Sequence, residues 1–143
     1  MAKFIAHRGN INGPNPADEN TIEYLRHAWK SGYDVECDLI GYKGKLYFGH
    51  DEPQDLADIN FLKEEGVWCH AKNTEALVLL DNIASHYFWH QEDSLTLTSK
   101  NYFWCFPGVF VNSPRAVWLD LHGKPLPNDI KNIYGVCGDI AIT

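Results

Sequence analysis

Residues Tyr33 to Ile40 have the sequence YDVECDLI, and this run predicts the central strand of the molecule. Its apolar and acidic residues alternate, and the side chains of a β-strand point alternately to its two faces. Glu36 and Asp38 therefore share one face of the predicted strand, while Cys37 lies on the other. Unpaired buried carboxylates are costly, so the shared face requires a metal ion, a counter-ion or water.

Strands and helices alternate around this stretch in the first half of the chain. Strands are predicted over 3–6, 33–40 and 67–72, with a hairpin-like return over 42–51. Helices are predicted from Asn20, which forms a capping-box pattern with Glu23, to the stop at Gly32, and again from Asn73; a weaker helix is predicted over 56–65. This alternation is typical of parallel βαβ units.

The second half of the chain has a different texture. Short strand-like runs separated by turn residues are predicted over 87–90, 95–98, 102–106, 109–111, 116–121 and 134–140, with one helical turn over 129–133. An eight-stranded α/β barrel ordinarily takes ~250 residues, and this chain has 143. We therefore expect a single α/β domain over residues 1–143, a compact, reduced barrel with several outer helices missing from its C-terminal half.

The bulk composition excludes several functions. The formal net charge is -7, which argues against nucleic acid and anionic membrane surfaces as partners. No apolar stretch approaches the ~20 residues of a membrane span, and the N-terminal residues lack the apolar core of a signal peptide. The four cysteines are widely spaced within predicted strands, as buried free thiols are. These features predict a cytoplasmic protein without stable membrane insertion.

Polar residues gather where the predicted strands end. His7 and Arg8 follow the first strand, His50 ends the hairpin return, and Lys72 ends the third strand. The ends of parallel strands meet on one rim, where α/β folds place their sites. A pair of histidines there suits proton abstraction and leaving-group protonation. Arg8 and Lys72 are candidates for holding a phosphate.

The predicted metal site consists of Glu36 and Asp38, because Mg²⁺ and Ca²⁺ prefer oxygen ligands, with a histidine from another strand as a third ligand.

Each candidate residue also has an interpretation that involves no function. A lone Glu-x-Asp is most often a solvated face, and His27, His86 and His122 fit satisfied surface residues. Core packing is favoured for Trp68, Trp89, Trp104 and Trp118 and, slightly, for His90. The order and convergence of the main set favour a site.

Four motifs in this order resemble the glycerophosphodiester phosphodiesterase family, metal-dependent members of the PI-specific phospholipase C-like superfamily. They are Phe4-Ile5-Ala6-His7-Arg8-Gly9, Glu19-Asn20-Thr21, Val35-Glu36-Cys37-Asp38 and Gly49-His50-Asp51. Further on, 68–73 resembles the family's Glu-x-Lys strand, and 135–139 resembles its closing Gly-x-x-x-Asp strand. The resemblance implies a TIM-type (β/α) barrel, here shortened.

The resemblance also implies roles. His7 and His50 would be the acid–base pair and Arg8 would contact the phosphate, while Lys72 would stabilise the pentavalent transition state. Glu36, Asp38 and, at the position of a third family glutamate, His70 would hold the metal. Asn20, His90 and Trp104 complete the expected substrate contacts.

This chain departs from the family pattern in two ways. His70 replaces a glutamate, which shifts the expected cofactor from Mg²⁺ or Ca²⁺ towards Mn²⁺ or another transition metal. A segment between His50 and His70 is shortened. We expect hydrolysis of a small phosphodiester such as a glycerophosphodiester. The alternatives are a catalytically silent barrel that binds a phosphorylated ligand or headgroup, and a lyase-type or phospholipase D-like reaction. Strand edges left by the helix-poor half favour a homodimer.

Overall fold

The computed structural model describes residues 2–123 and 125–141, and in these ranges the chain forms one nine-stranded sheet and three helices. The strands are β1 (Lys3–His7), β2 (Asp34–Tyr42), β3 (Lys45–Phe48), β4 (Val67–Ala71), β5 (Tyr87–Trp89), β6 (Leu95–Leu97), β7 (Phe103–Cys105), β8 (Ala116–Asp120) and β9 (Gly135–Gly138). The helices are α1 (Ile22–Lys30), α2 (Ile59–Leu62) and α3 (Thr74–Leu80). None of these three helices has the length and apolarity to cross a membrane.

Eight of the strands follow one another in the order β5-β4-β2-β1-β9-β8-β7-β6, and β3 pairs with β2 outside this path. Neighbours along the path are parallel except for β6 and β7. The backbone N–H of Ser99, just after β6, donates to the carbonyl of Tyr87 in β5. The two ends of the path are therefore joined, and the sheet is a nearly closed, mostly parallel barrel. The predicted α/β class and barrel-like sheet are confirmed.

The strands divide their side chains between the inside of the barrel and the layer under the helices. The apolar inside contains Ile5, Trp68, Phe88, Trp104, Val117, Leu119, Leu121 and Cys137. Cys37 and Cys69 face the other way and pack with residues of the three helices, such as Leu25, Phe61 and Leu80. The period-two prediction for β2 is confirmed, and so are the buried free thiols of the four cysteines, Cys37, Cys69, Cys105 and Cys137.

Helix α3 is fixed to β2 by one residue at its start. The side chain of Asn73 caps the helix by accepting from the N–H of Ala76 and also exchanges two 2.9 Å hydrogen bonds with the backbone of Gly41. A Cβ atom at Gly41 would lie 2.6 Å from the backbone nitrogen of Ala76, so only glycine permits this approach. The contact fixes the chain directly after β4, where Lys72 lies.

Several predicted elements differ in the structure. Helix α1 begins at Ile22, and its N-cap, Thr21, makes no side-chain capping bond, so the capping box predicted at Asn20 is wrong. Asn20 instead bonds to Asp38. The weaker helix over 56–65 is reduced to α2, and the described chain has neither a strand over 109–111 nor a helical turn over 129–133. The last two of these segments, 109–111 and 129–133, lie in loops that cover the outside of β8.

Candidate functional site

A cavity of about 600 Å³ opens at the carboxyl ends of the parallel strands, where the sequence places its candidate residues. The predicted site residues that line it are His7, Arg8, Glu36, Asp38, His50, His70, Lys72, His90 and Trp104. The barrel thus brings together side chains from six strands or their ends. The remaining candidate, Asn20, does not line this cavity.

Glu36, Asp38 and His70 form a compact group of possible metal ligands. Their ligand atoms all lie within 4.8 Å of one another. His70 Nδ1 lies 3.4 Å from Glu36 Oε2 and 3.5 Å from Asp38 Oδ1. Its Nε2 lies 3.0 Å from the carbonyl oxygen of His90, which can only accept a hydrogen bond, so Nε2 carries the proton. With Nε2 bonded in this way, Nδ1 is the ring nitrogen that faces the two carboxylates, an arrangement that metal-binding histidines use.

The two carboxylates have opposite pKa shifts. Burial alone would raise the pKa of Glu36, but the hydrogen bond from His70 and the positive charges of His7, His70 and Arg8 lower it instead. Burial and then the negative charge of Glu36 raise the pKa of Asp38. Two adjacent, almost fully buried carboxylates beside an imidazole nitrogen match the oxygen and nitrogen donors that divalent metals use. The residues therefore fit a divalent cation.

Asn20 orients Asp38 from behind. Its Nδ2 donates to Asp38 Oδ2 at 3.0 Å, and its Oδ1 accepts from the backbone N–H of Asp38 at 3.0 Å. Asn20 is buried and has a φ of +61°, a left-handed conformation that asparagine tolerates better than most residues. Its two hydrogen bonds fix the carboxylate of Asp38, and its contact with a substrate stays a prediction.

His7 is held by a residue from the other end of the chain. Its Nδ1 lies 2.8 Å from Asp139 Oδ1, and Asn10 Nδ2 donates to the same oxygen at 2.9 Å. Asn10 in turn accepts from the hydroxyl of Tyr24 and donates to Glu19 Oε2. With Nδ1 bound to a carboxylate, Nε2 of His7 remains for proton transfer.

The pKa values of the pair follow from this contact. Burial alone would lower the pKa of His7, but the hydrogen bond to Asp139 and the charge of Glu36 raise it above its ordinary value. Burial would likewise raise the pKa of Asp139, yet the hydrogen bonds from His7 and Asn10 lower it. The pair is therefore arranged to stabilise a protonated imidazole beside an ionised carboxylate.

Sequence reasoning gave no role to Asp139, Asn10 or Glu19. Asp139 ends the run 135–139 that resembles the family's closing Gly-x-x-x-Asp strand, and the signal for its direction was period two, because Cys137 faces the barrel interior and Asp139 comes two residues later. That signal becomes informative only when β9 is known to lie beside β1. Glu19 belongs to the Glu19-Asn20-Thr21 motif, but neither that motif nor any pattern around Asn10 indicated that the two residues support this pair.

Arg8 adopts a strained conformation beside the metal-ligand group. Its φ is +56°, and its backbone N–H donates to Glu36 Oε1 at 3.2 Å. The guanidinium lies 3.1 Å from Asp38 Oδ2 and 3.4 Å from Glu19 Oε1. Burial alone would lower the pKa of Arg8, but these neighbouring carboxylates raise it. Arg8 therefore brings a permanent positive charge to the cavity wall.

His50 and Lys72 lie on the rim of the cavity. His50 Nδ1 lies 2.8 Å from Asp51 Oδ1, so His50, like His7, has one ring nitrogen bound to a carboxylate. The backbone N–H of Gly49 donates to the carbonyl of Asp38, which ties the hairpin return to the metal-ligand strand. The backbone N–H of Lys72 donates to Leu39 in the same strand. Both candidate residues are thus fixed relative to β2.

The second half of the chain contributes the floor and far side of the cavity. Trp104 is buried there, with its ring centroid 4.5 Å from that of Phe88. His90 is buried, and its Nε2 donates to the carbonyl of Asp93 at 2.6 Å. Its own carbonyl accepts a hydrogen bond from His70 Nε2, so His90 supports the group of possible metal ligands through its backbone.

One histidine expected at the surface is instead buried. His86 lies with its ring centroid 4.0 Å from that of Trp68, and its Nε2 contacts Thr98 Oγ1 at 2.6 Å. Burial, and then the positive charge of Lys100, lower its pKa to about 4. The expectation was wrong because the opposite end of the barrel is covered by aromatic rings. His27 and His122 are exposed as expected, although His122 also lines the large cavity.

The site therefore combines a possible metal-ligand group, a histidine–aspartate pair and two permanent cations in one cavity. Comparison of the chain with protein-family models, with curated proteins and with solved structures finds no match.

Proposed function

We propose that this chain is a metal-dependent phosphodiesterase, a shortened relative of the glycerophosphodiester phosphodiesterases with a reduced TIM-type barrel. The observation that supports the proposal best is that Glu36, Asp38 and His70 converge on one cavity with the His7–Asp139 pair. A phosphodiester needs both charge neutralisation and proton transfer, and this cavity has groups for each. A cytoplasmic location, a small diester as the partner and a homodimer stay predictions.

The proposed metal ligands are Glu36, Asp38 and His70. A divalent cation held by these residues would supply Lewis-acid polarisation of a phosphoryl oxygen and would lower the pKa of an attacking oxygen. Two carboxylates suit Mg²⁺ or Ca²⁺, and the imidazole favours Mn²⁺ or another transition metal over Ca²⁺. Asn20 holds Asp38 in place, and the carbonyl of His90 fixes the tautomer of His70.

The two histidines divide the proton transfers. The raised pKa of His7 supports its protonated form as the donor to the leaving alcohol oxygen. His50, with Nδ1 beside Asp51, takes the proton from the attacking hydroxyl or water at its Nε2. Asp139 keeps the His7 ring in the required tautomer, and it stabilises the imidazolium before the proton leaves.

Arg8 and Lys72 bind the phosphate. Arg8 offers a planar group on the side of β1, and Lys72 offers a point charge at the end of β4. Their positive charges stabilise the negative charge that builds up on the phosphoryl oxygens in the transition state. The formally acidic chain thereby presents local positive charge to an anionic substrate at this rim.

The test is hydrolysis of glycerophosphocholine and bis(4-nitrophenyl) phosphate with Mn²⁺, Mg²⁺, Ca²⁺ or EDTA. Wild type is compared with His7→Ala, His50→Ala and the control His27→Ala, which removes an exposed histidine of α1. We expect metal-dependent turnover that both cavity variants lose and the control keeps, with Mn²⁺ binding unchanged in all four proteins. Full activity of both His7→Ala and His50→Ala would refute the acid–base assignment.

A second candidate function is a silent barrel that binds a phosphorylated ligand. The observation in its favour is the position of His70 Nδ1, within 3.5 Å of both carboxylates. A protonated His70 at this position would neutralise part of the negative charge of Glu36 and Asp38 without a metal. Calorimetric binding of glycerol 3-phosphate in EDTA, combined with no turnover under any metal, would favour this candidate over the enzyme.

A further inference from the structure

The cavity has two chemically different halves, and the strand order sets them opposite each other. The metal-ligand group lies on β2 and β4, with His7 next to it on β1. In the eight-strand path, β8 is four positions from β4, and β7 is four positions from β2. In a nearly closed barrel of eight strands, four positions is the full width of the barrel. Whatever binds between the halves therefore touches β7 and β8 on its far side.

The far side is an apolar wall, which we define as Trp104, Phe106, Leu119 and Leu121. Trp104, Leu119 and Leu121 are 2%, 7% and 8% exposed, and they continue directly into the apolar inside of the barrel. Phe106 is 37% exposed and lies at the entrance, with its ring edge-on to that of His90. The wall thus extends from the floor of the cavity to its mouth.

Among the polar side chains on this side in the part of the chain that the structure describes, the buried His90 has its Nε2 bonded to the carbonyl of Asp93, and the others are found at the rim. Gln91, Glu92 and His122 line the cavity but are exposed to solvent. A hydroxyl placed against Leu119 or Leu121 would lose its water and gain no partner from those side chains, which costs free energy. An apolar group in the same place gains by leaving water.

We propose that one of the two alcohols of the substrate is apolar, an alkyl or aryl group that packs on the wall formed by Trp104, Phe106, Leu119 and Leu121. This inference depends on the phosphodiesterase proposed above and specifies its substrate class. The phosphate and the other alcohol lie on the side of Glu36, Asp38 and His7, and that alcohol can carry hydroxyl groups. A diester with two polyhydroxylated alcohols fits this cavity poorly.

The test uses three glycerol phosphodiesters that differ only in the second alcohol: benzyl, methyl and glycerol. All three have alkoxide leaving groups, so differences in rate do not report the chemical reactivity of a phenol. Hydrolysis is followed by ³¹P NMR in the presence of Mn²⁺. Since even one methylene in an apolar pocket changes kcat/KM by about 10–200-fold, we expect the benzyl diester to exceed both others by at least about tenfold. Equal values, or a preference for the diglycerol diester, would overturn the inference while leaving the phosphodiesterase intact.

The wall itself is tested by Leu121→Asn, which places an amide in it. The matched control is Leu46→Asn, a leucine of β3 that is 4% exposed and lies away from this cavity. The preference for the benzyl diester should fall in Leu121→Asn and persist in Leu46→Asn, even if both variants lose stability. A preference that is unchanged in a folded Leu121→Asn would contradict the assignment of the wall.

Binding measurements decide the inference if the protein does not turn over. Titration calorimetry with benzyl phosphate and with glycerol 3-phosphate compares the same two groups on a phosphate monoester. Benzyl phosphate binding at least about tenfold more tightly would support the apolar wall even without hydrolysis. Equal or weaker binding of benzyl phosphate would refute it. Absence of turnover from all three diesters would separately refute the proposed enzyme.

Discussion

The Nε2–H of His70 donates a hydrogen bond to the carbonyl of His90, and the other ring nitrogen, Nδ1, lies within 3.5 Å of both Asp38 and Glu36. One backbone acceptor directly after β5 thus fixes which ring nitrogen of His70, on β4, faces the two carboxylates of β2. The contact spans three adjacent strands of the barrel. The metal-ligand group is therefore positioned by the closed sheet rather than by a flexible loop.

Asp38→Asn should abolish metal binding without unfolding the protein. The change removes a ligand, and it also removes the repulsion between two adjacent buried carboxylates. We expect no heat on titration with Mn²⁺ and a melting temperature in EDTA close to that of wild type. The control is Asp34→Asn at the other end of β2, where the carboxylate bonds to Trp68 and Tyr134. If Asp38→Asn still bound Mn²⁺ like the control, the assigned ligand set would be wrong.

His70→Glu should change which metal is preferred. A third carboxylate adds negative charge and hard oxygen donors, which favour Ca²⁺ and Mg²⁺ over metals that accept imidazole. We expect the ratio of the Mn²⁺ to the Ca²⁺ dissociation constant, measured by calorimetry, to rise in the variant. The same ratio in both proteins would show that His70 does not set the selectivity.

Asp139→Asn should lower activity by roughly 10²–10⁴-fold, the contribution of general acid–base catalysis, because the variant loses the carboxylate that orients the acid His7. The asparagine is neutral and does not stabilise the imidazolium form of His7, so the pKa of His7 should fall. If protonated His7 is the acid, the alkaline limb of the pH–rate profile, where activity is lost as His7 deprotonates, moves to lower pH. A rate loss with an unshifted profile would indicate that Asp139 acts only structurally.

Asn20→Ala should cost about 1–3 kcal/mol of unfolding free energy, because it leaves buried polar groups of Asp38 without their partner. Asn20→Gly, which accommodates the φ of +61°, separates this loss from backbone strain. Thr21→Ala, at an N-cap without a side-chain capping bond, should cost less. Urea denaturation that ranks Thr21→Ala as the more harmful change would restore a capping role for this segment.

His86 should make the protein less stable at acid pH. In the unfolded chain its pKa is near 6.5, whereas in the folded protein it is about 4. Between these values the unfolded state binds a proton that the folded state does not, so the unfolding free energy falls as pH decreases through this window. His86→Gln removes the titration, and the proton uptake on unfolding should drop by up to one. Urea denaturation from pH 7 to 4 measures it, with His27→Gln as the control; equal slopes in both variants would contradict the assignment.

The sequence predicts the first half of the fold well because its signals are local. The alternation in β2 determines that Glu36 and Asp38 share a face, and no long-range information is required for that inference. The role of Asp139 depends on β9 pairing with β1, which no local pattern specifies. Asn20 matches a capping pattern, but in the folded protein its amide bonds to the buried Asp38 and does not cap helix α1. His86 follows a turn and looks exposed, but tertiary packing covers it with Trp68.

Because β1 pairs with both β2 and β9, its position also determines the order in which the two parts of the site form during folding. Glu36 and Asp38 are brought to His70 by the pairing of β2 with β4, which closes a short segment of chain. His7 meets Asp139 only when two residues 132 positions apart come together. Because closing a longer loop costs more entropy and slows contact formation, we expect the acid–base pair to assemble after the metal-ligand group. A partly folded chain would then acquire affinity for a cation before it acquires the means to transfer a proton.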